Sequence, residues 1–313
     1  MPHLLNLIDV PTDTIRDLVA RAAELKSERR AGRSRTPLAG KVVGLVFEKP
    51  SLRTRMSFEA GVAQLGGTSL FFSGAEIGLG VRETLSDFAR TASRFLDAIV
   101  LRVFRQETVD ALARHGSIPV INGLTDRSHP CQALADLLTI QECFGTVAGK
   151  TVVFVGDGNN VSMSLAVGCA RLGAKFVLAC PPGYAFDDAF LKNYADKVSA
   201  DKPLTLHDPV AAVKSADVVY TDVWTSMGQE AERDERLQKF APFQLNAALM
   251  AKAPKACKVL HCLPAHRGEE ITDEVVDGPQ SVVFDQAENR LHVQKAVLEW
   301  LLAKGPARGD APV

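Results

Sequence analysis

The sequence predicts an α/β protein of two domains, each a parallel sheet flanked by helices. Three observations predict it. Short apolar, strand-like runs alternate with helix-spaced runs along nearly the whole chain, the pattern of strand–helix–strand units. The alternation restarts after Gly149, which favours a second sheet over one closed eight-fold barrel. The length, 313 residues, exceeds what one hydrophobic core usually organises. In order, an amphipathic helix is expected over 11–30, then strands near 42–47, 68–72, 97–103 and 118–121, with helices near 54–65, 84–95 and 106–115 between them. A helix near 130–143 follows the loop 122–129 and ends near Gly145. The second series has strands near 151–155, 175–179, 203–206, 217–220, 257–260 and 282–284, and a last helix over about 287–303. The domain break falls in 144–150, giving a first domain 1–145 and a second 146–286, with 305–313 expected to be a flexible tail of Gly, Pro and Asp.

Bulk properties exclude several classes. A formal net charge of −1 gives no basis for nucleic-acid or membrane binding through bulk charge, so any positive site must be local. No apolar run approaches the roughly 18 residues that span a bilayer, and residues 1–10 lack a signal peptide's basic start and apolar stretch. A cytoplasmic protein is the expectation. The six cysteines form no C-x-x-C pair, so neither a zinc cluster nor a disulfide framework is indicated. Cys143, Cys169, Cys180 and Cys257 read as small buried hydrophobes, whereas Cys131 and Cys262 stand beside polar motifs.

In open α/β sheets, ligands bind beyond the carboxyl ends of the strands. The polar motifs fall there repeatedly: 51–55 after the first strand, Arg102 at the end of the third, 129–132, 156–160, 222–228, and 261–264. The run Ser51-Leu52-Arg53-Thr54-Arg55 combines hydroxyls and guanidiniums at a helix start, where unpaired N–H groups and the helix dipole favour an anion. That chemistry suits a doubly charged phosphate. The glycines and lysine of a Walker loop are absent. His129 and Gln132, three apart at a helix start, can both donate to a carbonyl or phosphoryl oxygen. Gly156-Asp157-Gly158-Asn159-Asn160 misses the full dinucleotide fingerprint, because Val161 stands in the place of the third glycine. Its two Asn suit either a helix cap or a small substrate's carboxylate and amine; Asn159 can cap while Asn160 binds. Asp222 can pair with an ammonium, and the loop 222–230, with Trp224, Met227 and Gly228, reads as a lid with a hinge. A Cys262–His261 nucleophilic pair is conceivable, but adjacent strand residues point to opposite faces. A thiol that hydrogen-bonds a substrate amine is the alternative.

Taken together, Phe47 to Arg55 (FEKPSLRTR), HPCQ at 129–132, GDGNN at 156–160, DVWTSMGQE at 222–230, HCLPAHRG at 261–268 and ENR at 288–290 resemble the transcarbamoylase family, and within it the ornithine carbamoyltransferases, over about residues 3–303. The resemblance implies two α/β domains with the last helix, 287–304, packing back on the first. It also implies a homotrimer, or a multiple of trimers, with shared active sites and no cofactor or metal. The substrates it implies are carbamoyl phosphate and L-ornithine, and the products citrulline and phosphate. By the same resemblance, Ser51, Leu52 through its N–H, Arg53, Thr54, Arg102, His129, Gln132, Cys262, Leu263 and Arg290 hold carbamoyl phosphate, with Cys262 and Leu263 beside the reacting amine. Asn160, Asp222, Ser226 and Met227 hold ornithine, and Arg102, His129 and Cys262 are the catalytic candidates. Two positions depart from the family pattern. Leu52 stands where Thr is usual, and Gly78 where a Gln or other polar residue reaches the neighbouring subunit's phosphate; Arg82 is the group at hand to replace it. Rival readings are a transcarbamoylase for acetylated ornithine, a diamine or aspartate, a nicotinamide-dependent oxidoreductase, and a catalytically silent assembly partner.

Overall fold

The computed structural model describes residues 2–225 and 230–302 of the chain. Ser226, Met227, Gly228 and the tail 305–313 lie outside the described residues. The strands are β1 (Val42–Phe47), β2 (Thr68–Ser73), β3 (Ala98–Arg102), β4 (Val120–Leu124), β5 (Thr151–Val155), β6 (Lys175–Ala179), β7 (Leu204–Leu206), β8 (Val218–Thr221) and β9 (Lys258–His261). They form two parallel sheets, of order β2-β1-β3-β4 and β7-β6-β5-β8-β9. β1, β3, β5 and β8 are almost wholly buried, as expected of strands covered by helices on both faces.

The chain divides into two compact units. One comprises the residues up to Val10, Arg16–Cys131 and those from Arg290 onward; the other comprises Pro11–Ile15 and Gln132–Asn289. By its contacts the helix Pro130–Phe144 is grouped mainly with the second unit. Packing supplies the reason. A Cβ at Gly168 would lie 2.8 Å from the Leu137 side chain, so that glycine lets the helix Asn160–Arg171 approach closely. Asp136 and Thr139 also take hydrogen bonds from Gln286 (2.6 Å) and Asn289 (2.9 Å).

In the first unit, the end of the last helix lies along the helix Leu52–Gln64. Lys295 Nζ donates to Gln64 Oε1 at 3.3 Å, and Glu299 accepts from Arg21 at 2.7 Å. A tenth strand at 282–284 does not form. Ser281 makes an isolated parallel bridge to Val259, and the helix Val283–Leu302 begins at once. Val282-Val283-Phe284 is a short apolar run, for which strand and helix patterns coincide.

Candidate functional site

Each sheet has one place where the strand order reverses: between β1 and β3 in the first, between β5 and β8 in the second. At such a point the connections leave in opposite directions and open a crevice beyond the carboxyl ends. The polar motifs gather at these two places.

In the first unit, Ser51 is the N-cap of the helix Leu52–Gln64, in an extended conformation, with its Oγ accepting from Thr54 N. The same hydroxyl donates to Thr54 Oγ1 at 3.0 Å. Buried Thr54 also accepts from Arg290 Nη2 at 3.0 Å, although 236 residues separate the two in sequence. Arg290 Nη1 lies 3.5 Å from His129 Nε2. Arg102 ends β3 opposite Phe47 of β1, and its carbonyl accepts from Glu48 N at 2.9 Å. Glu48 Oε2 in turn takes Phe104 N at 2.7 Å, which ties the two loops together. His129 is buried and held well below the usual imidazole pKa, first by desolvation and then by the positive charges of Arg290 and Arg102. It is therefore a neutral imidazole between two guanidiniums, able to donate one N–H without adding charge. Arg53 is half-buried in the helix's first turn. The Leu52 side chain is 69% exposed, so what that residue brings to the helix start is its N–H. Cys131 is buried, its thiol pushed up to about 12 by desolvation and donating weakly to Asn122 O at 3.7 Å, so it packs rather than reacts.

Gly78 has φ +58, and a Cβ there would lie 2.6 Å from Arg82 Cγ. Backbone and neighbour alike favour glycine at this position, with Arg82 lying over it.

The second unit has a different chemistry. Asn159 caps the helix Asn160–Arg171, accepting from Val161 N and Ser162 N at 3.0 Å each, and its Nδ2 donates to Asp222 Oδ2 at 3.0 Å. Asp222 Oδ1 takes Val223 N at 2.8 Å and the Cys262 thiol at 2.9 Å. Asp222, just past β8, is thus a fixed acceptor joined to Asn159 past β5 and Cys262 past β9. Asn159 both caps and orients Asp222; Asn160, the next residue, opens the helix.

His261 takes no part in a nucleophilic pair. Its Nδ1 accepts from Leu263 N at 2.8 Å, and its Nε2 lies 3.1 Å from buried Glu270 Oε1. The Leu263 N–H is spent there, at a residue with φ +57, so its carbonyl is the group it can offer a substrate. Glu270 Oε1 also takes His266 N at 2.6 Å, and Glu269 pairs with Arg233. His266, Glu269 and Glu270 come within 4.8 Å of one another, yet these partners already give the two carboxylates a structural role.

The glycine turn after β5 does not suit a dinucleotide. Gly158 N donates to Tyr184 O at 2.9 Å, and a Cβ on Gly158 would lie 2.7 Å from the Ala185 carbonyl carbon. The chain's own backbone fills the approach that a pyrophosphate would need. Gln132, fully buried, donates to Asp136 Oδ1 at 2.8 Å.

One residue went unread in the sequence: Arg236. Its Nη1 donates to Asp157 Oδ2 at 2.6 Å and to Trp224 O at 3.0 Å, and its Nε to Glu232 at 3.0 Å. It anchors the start of the 222–230 loop to the turn after β5. Within the charged stretch RDERLQKF it carries no signal separating it from a surface residue.

Comparison with known proteins agrees with this geometry. Residues 2–142 match the family model described as the aspartate/ornithine carbamoyltransferase carbamoyl-P binding domain, and residues 148–301 match the Asp/Orn binding domain. The chain is 53% identical over 305 residues to an ornithine carbamoyltransferase of Bacillus subtilis (strain 168), covering 96% of this chain and 94% of that one. It is 51% identical over 302 residues to that of Pyrococcus abyssi, covering 96% and 95%. Among solved structures, the ornithine carbamoyltransferase from Pyrococcus furiosus matches with TM-score 0.92 at 49% identity, covering 97% of this chain and 98% of that one. The enzyme from Thermus thermophilus matches with TM-score 0.87 at 46% identity, covering 96% and 99%. The chain belongs to the aspartate/ornithine carbamoyltransferase family.

Proposed function

We infer that this chain is an ornithine carbamoyltransferase, transferring the carbamoyl group of carbamoyl phosphate to the δ-amine of L-ornithine to give L-citrulline and phosphate. The observation that carries the reading is the Ser51–Thr54–Arg290–His129 cluster at the carboxyl edge of the first sheet, with Arg102 beside it. Two guanidiniums, two hydroxyls and a neutral imidazole suit a small dianion with an adjoining carbonyl. Ser51, the Leu52 N–H, Arg53, Arg102 and Arg290 are assigned to the phosphate, and His129, Thr54 and Arg102 to the carbonyl oxygen. Gln132 is assigned to carbamoyl phosphate on the strength of the family resemblance.

The free δ-ammonium has a pKa of roughly 10 and is inert as a nucleophile. Ornithine must therefore react as the neutral amine, which burial favours. Asp222, with Cys262 and Asn160, orients the amino acid rather than taking its proton; Ser226, Met227 and the Leu263 carbonyl complete that set. The amine nitrogen attacks the carbamoyl carbon, and negative charge grows on the carbonyl oxygen. Donors fixed in advance stabilise it. The C–O bond to phosphorus then breaks, phosphate leaves with the electron pair, and the nitrogen's extra proton passes to the departing phosphate. Holding two small reactants together supplies much of the acceleration.

A homotrimer acting in arginine biosynthesis in the cytoplasm accompanies this reading. One relative, from Pyrococcus furiosus, is named the anabolic enzyme. Leu52, Met56, Leu70 and Val81 of the first unit are exposed apolar side chains suited to burial against another subunit, with Arg82 nearby to reach a neighbour's phosphate. All six cysteines are free thiols, consistent with a reducing compartment. The test is citrulline formation with a panel of acceptors. Turnover with ornithine above acetylornithine, diamines and aspartate upholds the assignment, and preference for any of the others replaces it.

A further inference from the structure

Within the first unit, away from the carboxyl edge of the sheet, a cleft of about 230 Å³ lies where the helix Thr12–Arg30 ends. Its lining includes Arg29, Arg33, Arg35 and Lys295 against a single carboxylate, Glu28. Glu28 is already shared: it accepts from Arg21 at 3.2 Å and lies 3.6 Å from Arg35. Arg29, Arg33 and Lys295 make no ion pair among the described residues. Exposed arginines are ordinarily just solvated, and Arg33 and Arg35 alone would signify nothing. Lys295 changes the weighing. It is only 5% exposed, and its ammonium's partner is the neutral amide oxygen of Gln64, at 3.3 Å. Desolvation and then the charge of Arg29 hold its pKa below the usual lysine value, with Glu299 and Glu28 opposing and Arg21 adding to the shift. A desolvated ammonium beside another cation is favoured by a bound anion.

We propose that this cleft is a second anion site, taking a compact diphosphate group between Arg33 and Arg35 at its mouth and Lys295 at its base. A diphosphate, rather than a monoanion, matches several cations spread around a cavity of this size. The site is also placed to be felt elsewhere in the unit. Gln64 ends the helix that starts at Leu52, and Lys295 is five residues beyond Arg290 on the last helix.

The test is calorimetric titration of the full-length protein with inorganic pyrophosphate, and separately with ADP. It is run on the wild type, on Arg53→Ala, on Arg33→Ala/Arg35→Ala and on Lys295→Met. Arg53→Ala removes pyrophosphate bound at the carboxyl-edge cluster, so the two sites separate. The expected result is a pyrophosphate site that persists in Arg53→Ala and weakens at least about tenfold in both cleft variants. The double variant should retain its circular dichroism and its citrulline formation at saturating substrates. ADP binding with the same losses assigns the site to a nucleotide's diphosphate, and pyrophosphate binding alone assigns it to the inorganic ion; either upholds the proposal. Pyrophosphate binding that disappears entirely in Arg53→Ala, or that is indifferent to Arg33→Ala/Arg35→Ala, overturns it, whatever becomes of the assignment at Arg53.

Discussion

The two carboxyl edges of this molecule use one topological device for opposite electrostatic ends. In the first unit the reversal between β1 and β3 gathers guanidiniums, with Arg290 fixing Thr54 and flanking His129. In the second, the reversal between β5 and β8 gathers an acceptor: Asp222, each oxygen engaged by Asn159, Val223 or Cys262. The lesson is that parallel-sheet topology supplies a place, while the few side chains at strand ends set the sign of what binds there. If so, damage at one edge should affect one substrate and spare the other.

The largest effect is expected at the first edge. Arg53→Ala should weaken carbamoyl phosphate binding at least about a hundredfold, the loss of a charge-assisted bidentate contact. Isothermal calorimetry checks it, and unchanged affinity would remove Arg53 from the site. Next comes the second edge. Asp222→Asn keeps the size but exchanges the carboxylate for an amide that can no longer accept on both sides, so the KM for ornithine should rise about tenfold or more. Steady-state kinetics at saturating carbamoyl phosphate would show it. Cys262→Ala should be milder, about three- to tenfold in ornithine KM, because a thiol is a weak donor. An equal loss for carbamoyl phosphate would blur the division between the edges.

The smallest effect sharpens the comparison through pH. His129 titrates well below the usual value of about 6.5 in the folded chain because burial, Arg290 and Arg102 disfavour its cation. The unfolded chain therefore binds the proton first as pH falls. The stability associated with neutral His129 is complete above about pH 6.5 and is lost as pH drops through that value towards the folded pKa, with a limiting slope of about 1.4 kcal/mol per pH unit. His129→Gln should make the decline between about pH 7 and pH 5 shallower in urea unfolding. His3, also lowered by burial, leaves a residual slope in both proteins.

Much of the fold was legible because buried parallel strands are short apolar runs bounded by polar turns, and β1 through β9 fall within a few residues of where the pattern puts them. The misreading at 282–284 arose where three apolar residues fit either period. The site was legible where residues close in sequence share a turn, as Ser51 and Thr54 do. It was legible too where a polar residue ends an apolar strand, as Arg102 does. Arg290 reads as an anion contact from its place at the expected start of the last helix, and the resemblance adds the ligand, but its partners were hidden. It lies well inside the helix Val283–Leu302, and nothing local says that its buried face meets Thr54. Arg236 left no trace, since a side chain that is 6% exposed here looks, in sequence, like its solvated neighbours. The pairing of Asn159 with Asp222 was equally hidden, because it depends on β5 and β8 being neighbours.

The most direct measurement is carbamoyl phosphate affinity by calorimetry in Arg53→Ala and Asp222→Asn side by side. Near-complete loss in the first with wild-type affinity in the second is the predicted result. Comparable losses in both, or loss only in Asp222→Asn, would contradict the division of the two substrates between the two carboxyl edges.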